Sequence, residues 1–442
     1  MAEGKVMNRW LVVVGAILIQ LCLGAIYAWS VFTPALTAEG GEYGFTATET
    51  QWVFSVGLAT FAVVMVIAGR MQAKVGPRPI AALGGIVLGI GYIAGGFLGE
   101  TFLMQLICIG IIGGAGIGLA YVVPIAVCVK WFPDKKGMIT GLAVAGFGFG
   151  ATIWVKLGGS WFGGLLNLCE GMMGLPGVQA VFVIYGIIFL VVVLLGSIVM
   201  VNPPDGFKPA GWEPPALSLT STATGAVDLT ESQMLLTPQY WMLLLMFIGS
   251  GMAGLMVIGC IKFFGIDALQ ASGAAVASDS FSAKDVASAM AGTAMAFYAI
   301  LNGLGRIAWG KASDTIGRKA SLFLMCLIQG IIMIAFFYIG GSQLGLIIGA
   351  SIIGFNFGGN FALFPAATAD FFGNKNVGKN YGWVFLAYGV AGIVGPQVAA
   401  FFKDRSAGDV NAWLTPFVIA GVACLVAAVL ALLLKAPKPK EA

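Results

Sequence analysis

The sequence predicts an all-α membrane protein whose twelve transmembrane helices form two pseudo-symmetric six-helix halves around a central cavity. Three observations lead there. The chain of 442 residues is 59% hydrophobic and only 10% charged, with a mean hydropathy of +0.96, which no ordinary soluble domain shows. Apolar stretches of about 20 residues or more, the length a bilayer core demands, recur along it. A short basic turn also appears twice, at matching places in the two halves.

Taken in order, the stretches fall near 10–36, 50–72, 79–99, 102–128, 137–160 and 178–200, then near 238–262, 288–310, 319–341, 343–367, 380–402 and 411–434. The first resembles a signal peptide, because Lys5 and Arg9 precede an apolar run. That run continues without a small-residue cleavage site, so it is expected to be the first span. Residues 202–237 are rich in Pro, Ser and Thr and are expected to form a flexible linker. The domain reading is therefore an N-terminal six-helix half at 1–201, a linker at 202–237 and a C-terminal half at 238–442.

Charge sets the expected orientation. Seventeen of the 23 Lys and Arg residues fall in loops on the side of the N-terminus, whereas the opposite loops hold Lys262, Lys284, Lys403 and Arg405. Cationic loops stay on the cytoplasmic side, so both termini and the linker are expected in the cytoplasm of a cell with this protein in its inner membrane. A net charge of +4, scattered along the chain, gives no nucleic-acid surface. The lack of any His excludes histidine metal sites, proton relays and His-based triads. Seven Cys are spread singly without a CxxC pair and read as free packing residues. No cofactor and no metal are expected, and the spans hold neither clustered carboxylates nor a nucleophile with its base, so no enzyme is expected.

The duplicated turn is GRMQAKVGPR at 69–78, after the second span, and GKASDTIGRK at 310–319, after the eighth. In each, glycine permits a tight loop and cations cap helix ends. Gly69, Arg70, Arg78, Gly310, Asp314, Gly317 and Arg318 are the expected gating-loop residues. Two parallel repeats flanking a cavity suit a carrier that rocks between two openings.

One residue gives that cavity a chemistry. Arg306 lies in a segment, 287–310, that carries no other charge. A cation at the centre of a membrane span costs about 2.5–3.5 kcal/mol on insertion scales and normally pairs with an anion. No carboxylate in the other apolar stretches offers itself, so the expected counter-ion is a small anion that comes and goes. The competing reading is snorkelling to the nearby end of the span, marked by Gly310 and Lys311.

Several strings narrow the reading. The turn at 310–319 resembles the signature loop of the major facilitator superfamily, while the first copy departs from it with Ala73 where an Asp is usual. AIYAWSVF (25–32), YVVPIAVCVKWFPDKKG (121–137), GLAVAGFGFG (141–150), NPPDGF, TPQYWMLLLMF, NGLGRIAWGKASDTIGRK and NYGWVFLAYG are similar to the oxalate/formate antiporter family of that superfamily. This resemblance covers nearly the whole chain and implies the major facilitator fold. In the family's oxalate exchangers it implies two cations, an Arg on span 8 and a Lys on span 11. Arg306 matches the first; the second motif reads roughly TAKG there and LAYG here, so Tyr388 stands where that Lys would be. A dianion wants two fixed cations, whereas one Arg can fork a single carboxylate. TPQYWML, a Lys in the fifth span and FNFGG in the tenth also resemble the family's bacterial pyruvate/proton symporters.

The remaining candidates follow from position. Lys156, near the outer end of the fifth span, reads either as a headgroup-seeking lysine or as a second cation. Tyr27, Tyr121 and Tyr388 lie on spans that line the cavity in this superfamily, and a phenol offers a carboxylate one hydrogen bond; belt tyrosines are the bland alternative. Phe385, one turn before Tyr388, is a candidate wall residue. Asn356 and Asn360 share a helix face and serve either to tie helices or to touch substrate. Glycine patches at 110–118, 146–150 and 354–359 are expected to be close helix contacts, not phosphate loops.

The expected function is secondary active transport of a small monocarboxylate (pyruvate, lactate or formate) by alternating access, with the carboxylate docked on Arg306 and protons as coupling ion. The partners are thus a small organic acid anion, protons and membrane lipid, and the chain is expected to act as a monomer. An oxalate/formate or other organic-anion exchanger is the alternative, and a non-transporting membrane receptor a further one. Asp285 is the nearest proton-site candidate, although an exposed loop position suits it better.

Overall fold

The computed structural model describes residues 7–38, 40–132, 136–204, 207, 209, 228–278, 281–373, 376–405, 408–435 and 437. Lys5, Lys135, Lys208, Lys375, Lys438 and Lys440 from the charge pattern, the side chain of Ala73 and most of the linker (205, 206, 208 and 210–227) lie outside the described residues. Twelve helices are long and apolar enough to cross a bilayer: α1 Arg9–Val31, α2 Ala47–Gln72, α3 Pro77–Leu98, α4 Phe102–Cys128, α5 Gly141–Gly159, α6 Gly177–Ser197, α7 Pro238–Ala271, α8 Ala283–Ile316, α9 Arg318–Ile339, α10 Gln343–Phe372, α11 Lys379–Arg405 and α12 Val410–Leu433. The protein is a multi-pass membrane protein with an all-α fold.

The packing repeats. Helix α2 lies against α4 as α8 lies against α10, and α3 against α6 as α9 against α12. Between the halves α2 runs along α11 and α5 along α8, the two pairs that a twofold relation would exchange. Both copies of the basic turn share one geometry as well. Gly76 (φ +88°) and Gly317 (φ +85°) each end one helix and start the next. At that positive φ a side chain would be strained, which is why glycine ends both copies.

Close helix contact positions the centre. Gly305 on α8 and Gly354 and Gly358 on α10 have no room for a Cβ, which would overlap the carbonyls of Phe355, Tyr298 and Asn302 respectively. Small residues let the two backbones approach where the bilayer supplies no hydrophobic drive for association. Helix α1 tightens to a 3₁₀ turn over Gly24–Val31, and α4 widens to a π turn over Leu106–Gly113. Such local changes of pitch re-aim the side chains within and beyond them, here Tyr27 within the first and Tyr121 beyond the second.

Several boundaries depart from the sequence expectation, among them those of α8, which runs Ala283–Ile316 against 288–310; the largest departure is that of α7. Helix α7 continues nine residues beyond 262, to Ala271, so Lys262 lies inside a helix and not in a loop. Its charge ended the apolar pattern, but the helix is held on by Asp267, which accepts from Lys403 at 2.5 Å and from the Trp413 indole at 2.9 Å. At the other end of the bundle, residues 231–235 form a short capped helix in what composition assigned to the flexible linker.

Candidate functional site

Arg306 lies on the face of α8 that meets α5 and α10, and it is fully buried. It does not snorkel. Its Nε and Nη2 donate to the side-chain oxygen of Asn302, one turn earlier, at 3.2 and 3.1 Å, and its Nη1 donates to the Val144 carbonyl on α5 at 2.9 Å. The guanidinium carbon stands 4.0 Å from the Phe361 ring centroid and 5.5 Å from that of Phe147. Among the described residues no carboxylate bonds it. Neutral acceptors and ring faces therefore hold the charge, and they do so across the boundary between the halves.

Around it stands an aromatic cage. The hydroxyls of Tyr27 (α1) and Tyr388 (α11) share a 2.8 Å hydrogen bond across the boundary. Phe385 stacks on Tyr388 at 4.9 Å and on Tyr121 at 5.8 Å, and the Phe61 ring meets Tyr121 edge-on at 4.9 Å. Tyr27, Tyr121, Phe385 and Tyr388 are all buried, far from any belt position. Four sequence candidates are thus brought together with Arg306. Phenols and a guanidinium packed among rings suit one carboxylate head and a short apolar tail.

The asparagines act differently from one another only in partner. Asn356 accepts from the Trp309 indole at 3.2 Å, tying α10 to α8, and Asn360 accepts from Ser250 at 2.7 Å, tying α10 to α7. Each keeps a buried, unpartnered amide nitrogen. Asp285 is an exposed capping residue, accepting from the Ser282 backbone and hydroxyl at 3.1 and 2.6 Å, so it is no buried proton site.

Lys156 is half-buried and reaches across the boundary to the Thr293 hydroxyl at 3.4 Å. Lys262 comes to the same region from α7 and donates to Ser288 at 3.1 Å. Beside them, at the end of the bundle away from the termini, a cavity of about 830 Å³ opens between the halves.

At the opposite end the gating-loop candidates separate into two groups. Arg70 pairs with Glu231 at 2.7 Å, and Glu231 also accepts from the Trp383 indole at 2.9 Å, so α2 is linked to α11 through the last part of the expected linker. Those two donors, Arg70 first, hold the Glu231 carboxyl below the usual carboxylate range. In the second copy Arg318 bonds Asp314 at 2.8 Å, Asp370 at 2.9 Å and Ser313, all within its own half. Arg78 is exposed, whereas Gly69 and Gly310, expected in the loops, lie inside the helices that precede the turns, seven residues before Gly76 and Gly317.

Sequence reasoning missed Asn302, Phe147, Phe361 and Lys262. Asn302 carried a signal, since a polar residue four before Arg306 shares its face. The phenylalanines carried none, because a ring in an apolar run reads as packing.

A model of the Major Facilitator Superfamily matches residues 18–396, and a second match covers 264–442. The chain belongs to the Major Facilitator Superfamily. As a member it is a transporter, not an enzyme. It is similar to the uncharacterized MFS-type transporter YhjX of Escherichia coli, at 30% identity over 87% of this chain and 86% of that one. It is also similar to the oxalate:formate antiporter of Oxalobacter formigenes, at 24% over 97% and 92%, and to apicoplast pyruvate carrier 1 of Toxoplasma gondii, at 23% over 86% and 81%. The fold matches the inward-facing, occupied structure of a bacterial homolog of the human lysosomal transporter Spinster, with a TM-score of 0.66, 15% identity and 97% of each chain covered.

Proposed function

We propose that the protein is a secondary active transporter of a small monocarboxylate anion of the pyruvate, lactate or formate class. The anion docks its carboxylate on Arg306, and the two halves rock to give alternating access. The observation that carries this reading is the fully buried guanidinium at the boundary of the halves, bonded by the neutral groups of Asn302 and Val144 and by no carboxylate among the described residues. Neutral acceptors do not balance a guanidinium, whereas an incoming carboxylate does, so substrate binding lowers the cost of closing a dry centre. Kinship with the Oxalobacter antiporter and the Toxoplasma pyruvate carrier supports an organic-acid cargo.

The orientation follows the charge pattern: termini and linker in the cytoplasm, the cavity beside Lys262 facing outward, the protein in an inner membrane. Uptake of a lone anion against an inside-negative potential costs about 2.3 kcal/mol per 100 mV. A co-moving proton offsets it, which makes proton symport the favoured coupling. Anion exchange is the second reading, and the two lysines at the outer end favour it because a dianion wants more than one cation.

The test is uptake by proteoliposomes of labelled lactate, pyruvate, formate and oxalate, with and without an imposed pH gradient, by the wild type and Arg306→Lys. Uptake of monocarboxylates that is driven by the gradient and collapses in Arg306→Lys is expected. Equal uptake by Arg306→Lys removes the arginine from the mechanism, and oxalate uptake driven only by internal anion assigns exchange.

A further inference from the structure

The outer cavity holds cations that the central site does not use. Lys262 is only 8% exposed, yet it meets no carboxylate among the described residues; its Nζ bonds Ser288. Lys156 comes from the other half and bonds Thr293, five residues further along α8, or about 7.5 Å at 1.5 Å per residue. Gly292 lies between, with Lys262 Cε 3.3 Å and Nζ 3.6 Å from where its Cβ would be, so the absence of a side chain leaves room for the ammonium. Lys262, Lys284, Ser288 and Thr293 all line the cavity. Its carboxylates are already engaged: Asp285 caps α8 through Ser282, and Glu170 accepts from the Gly177 N–H at 2.8 Å.

We propose that Lys262 and Lys156 form a second anion site in this vestibule, which takes up a small carboxylate before it passes to Arg306. Two ammonium groups held by hydroxyls, close together and part-buried, repel one another, and an anion between them removes that repulsion. Ser288 turns toward the same space and adds a hydroxyl donor once Lys262 is engaged by the anion, whereas the Thr293 hydroxyl donates to the Ala289 carbonyl at 3.0 Å and serves Lys156 as an acceptor. The path from Thr293 to Arg306 along α8 is thirteen residues, about 20 Å. At physiological salt screening reaches about 8 Å, so this site acts by local capture and not by drawing on the field of Arg306. Because Lys156 belongs to one half and Lys262 to the other, the site exists as a pair only while the outer cleft has this spacing. Rocking that changes the spacing weakens the site and hands its anion on. The inference rests on reading the protein as an organic-anion carrier.

The experiment reads the vestibule without requiring transport. Ala289 is exposed on the cavity wall, and the seven native cysteines are all buried, so in the full-length Ala289→Cys protein one accessible thiol reports the local potential. Its modification rates by an anionic and a cationic methanethiosulfonate of similar size are compared in proteoliposomes. The anionic-to-cationic ratio is expected to fall about tenfold on Lys262→Met and about threefold on Lys156→Gln, and to be restored by Lys262→Arg. Added formate, lactate, pyruvate or oxalate is expected to slow the anionic reagent when both lysines are present and to do nothing in Lys262→Met. An unchanged ratio, or no protection by any of the four acids, overturns the site. Protection without transport leaves the site standing and refutes the carrier reading; Arg306-dependent transport with an unchanged ratio does the reverse.

Discussion

Two cationic regions lie along α8, one where it meets α5 and α10 and one where Lys156 of α5 and Lys262 of α7 reach it, and they handle charge in opposite ways. At the centre, Arg306 is dry, braced by Asn302 and Val144 and set against the Phe361 ring. At the end away from the termini, Lys262 lines a cavity, Lys156 reaches Thr293 on its wall, and each lysine bonds a hydroxyl. The difference follows from side-chain chemistry. A guanidinium is weakly hydrated and planar, so it tolerates ring faces and fixed carbonyls; an ammonium is strongly hydrated and keeps to a place water can reach. In the proposed carrier, the lysines would gather an anion and the arginine would orient it.

That contrast can be broken. The largest effect is expected from Arg306→Lys, which keeps the charge but not the fork: initial uptake should fall about a hundredfold, ~2.7 kcal/mol, measured by counterflow. An equal loss in Lys156→Gln would erase the distinction between the regions. Next, Tyr388→Lys puts a second cation in the dry centre and removes the bond to Tyr27. Preference for oxalate over pyruvate is expected to rise about tenfold, since only a dianion matches two fixed cations; competition assays read the ratio. A smaller effect is expected from Phe361→Leu, which removes the ring under Arg306: about 1–2 kcal/mol, seen as a five- to thirtyfold rise in KM.

The smallest effect lies at the terminal end, where the Arg70–Glu231 pair is substantially exposed. Because Glu231 is held below the usual carboxylate range by Arg70 and then Trp383, its contribution is present above that range and lost as pH falls through the lowered value. Hydrogen exchange across 229–237 should quicken on acidification, and Glu231→Gln should show the fast exchange at every pH. The expected size is about 0.5 kcal/mol, near twofold. A much larger change would mean that this contact, and not the centre, controls closure.

Much of the fold was legible in the chain. Helix number and the duplicated turn can each be read from one segment at a time. The centre was half legible: Tyr27, Tyr121, Phe385 and Tyr388 meet around the arginine, but the asparagine that braces it and the rings that face it did not stand out. Lys262 was misplaced because a lysine ends an apolar window, while the helix itself continues on its backbone hydrogen bonds and the Asp267 contacts.

What the sequence determined alone is the inventory: twelve spans, two halves and one arginine that the bilayer would not accept without a purpose. Those follow because the cost of placing charge or bare backbone in hydrocarbon acts on each segment by itself. What only the tertiary structure decided is which neutral groups hold that arginine, which tyrosines bond across the halves, and that two lysines 106 residues apart in the chain, 156 and 262, flank one vestibule. Those depend on glycine-sized approaches between distant helices, and no local pattern in the chain encodes which helix will be the neighbour.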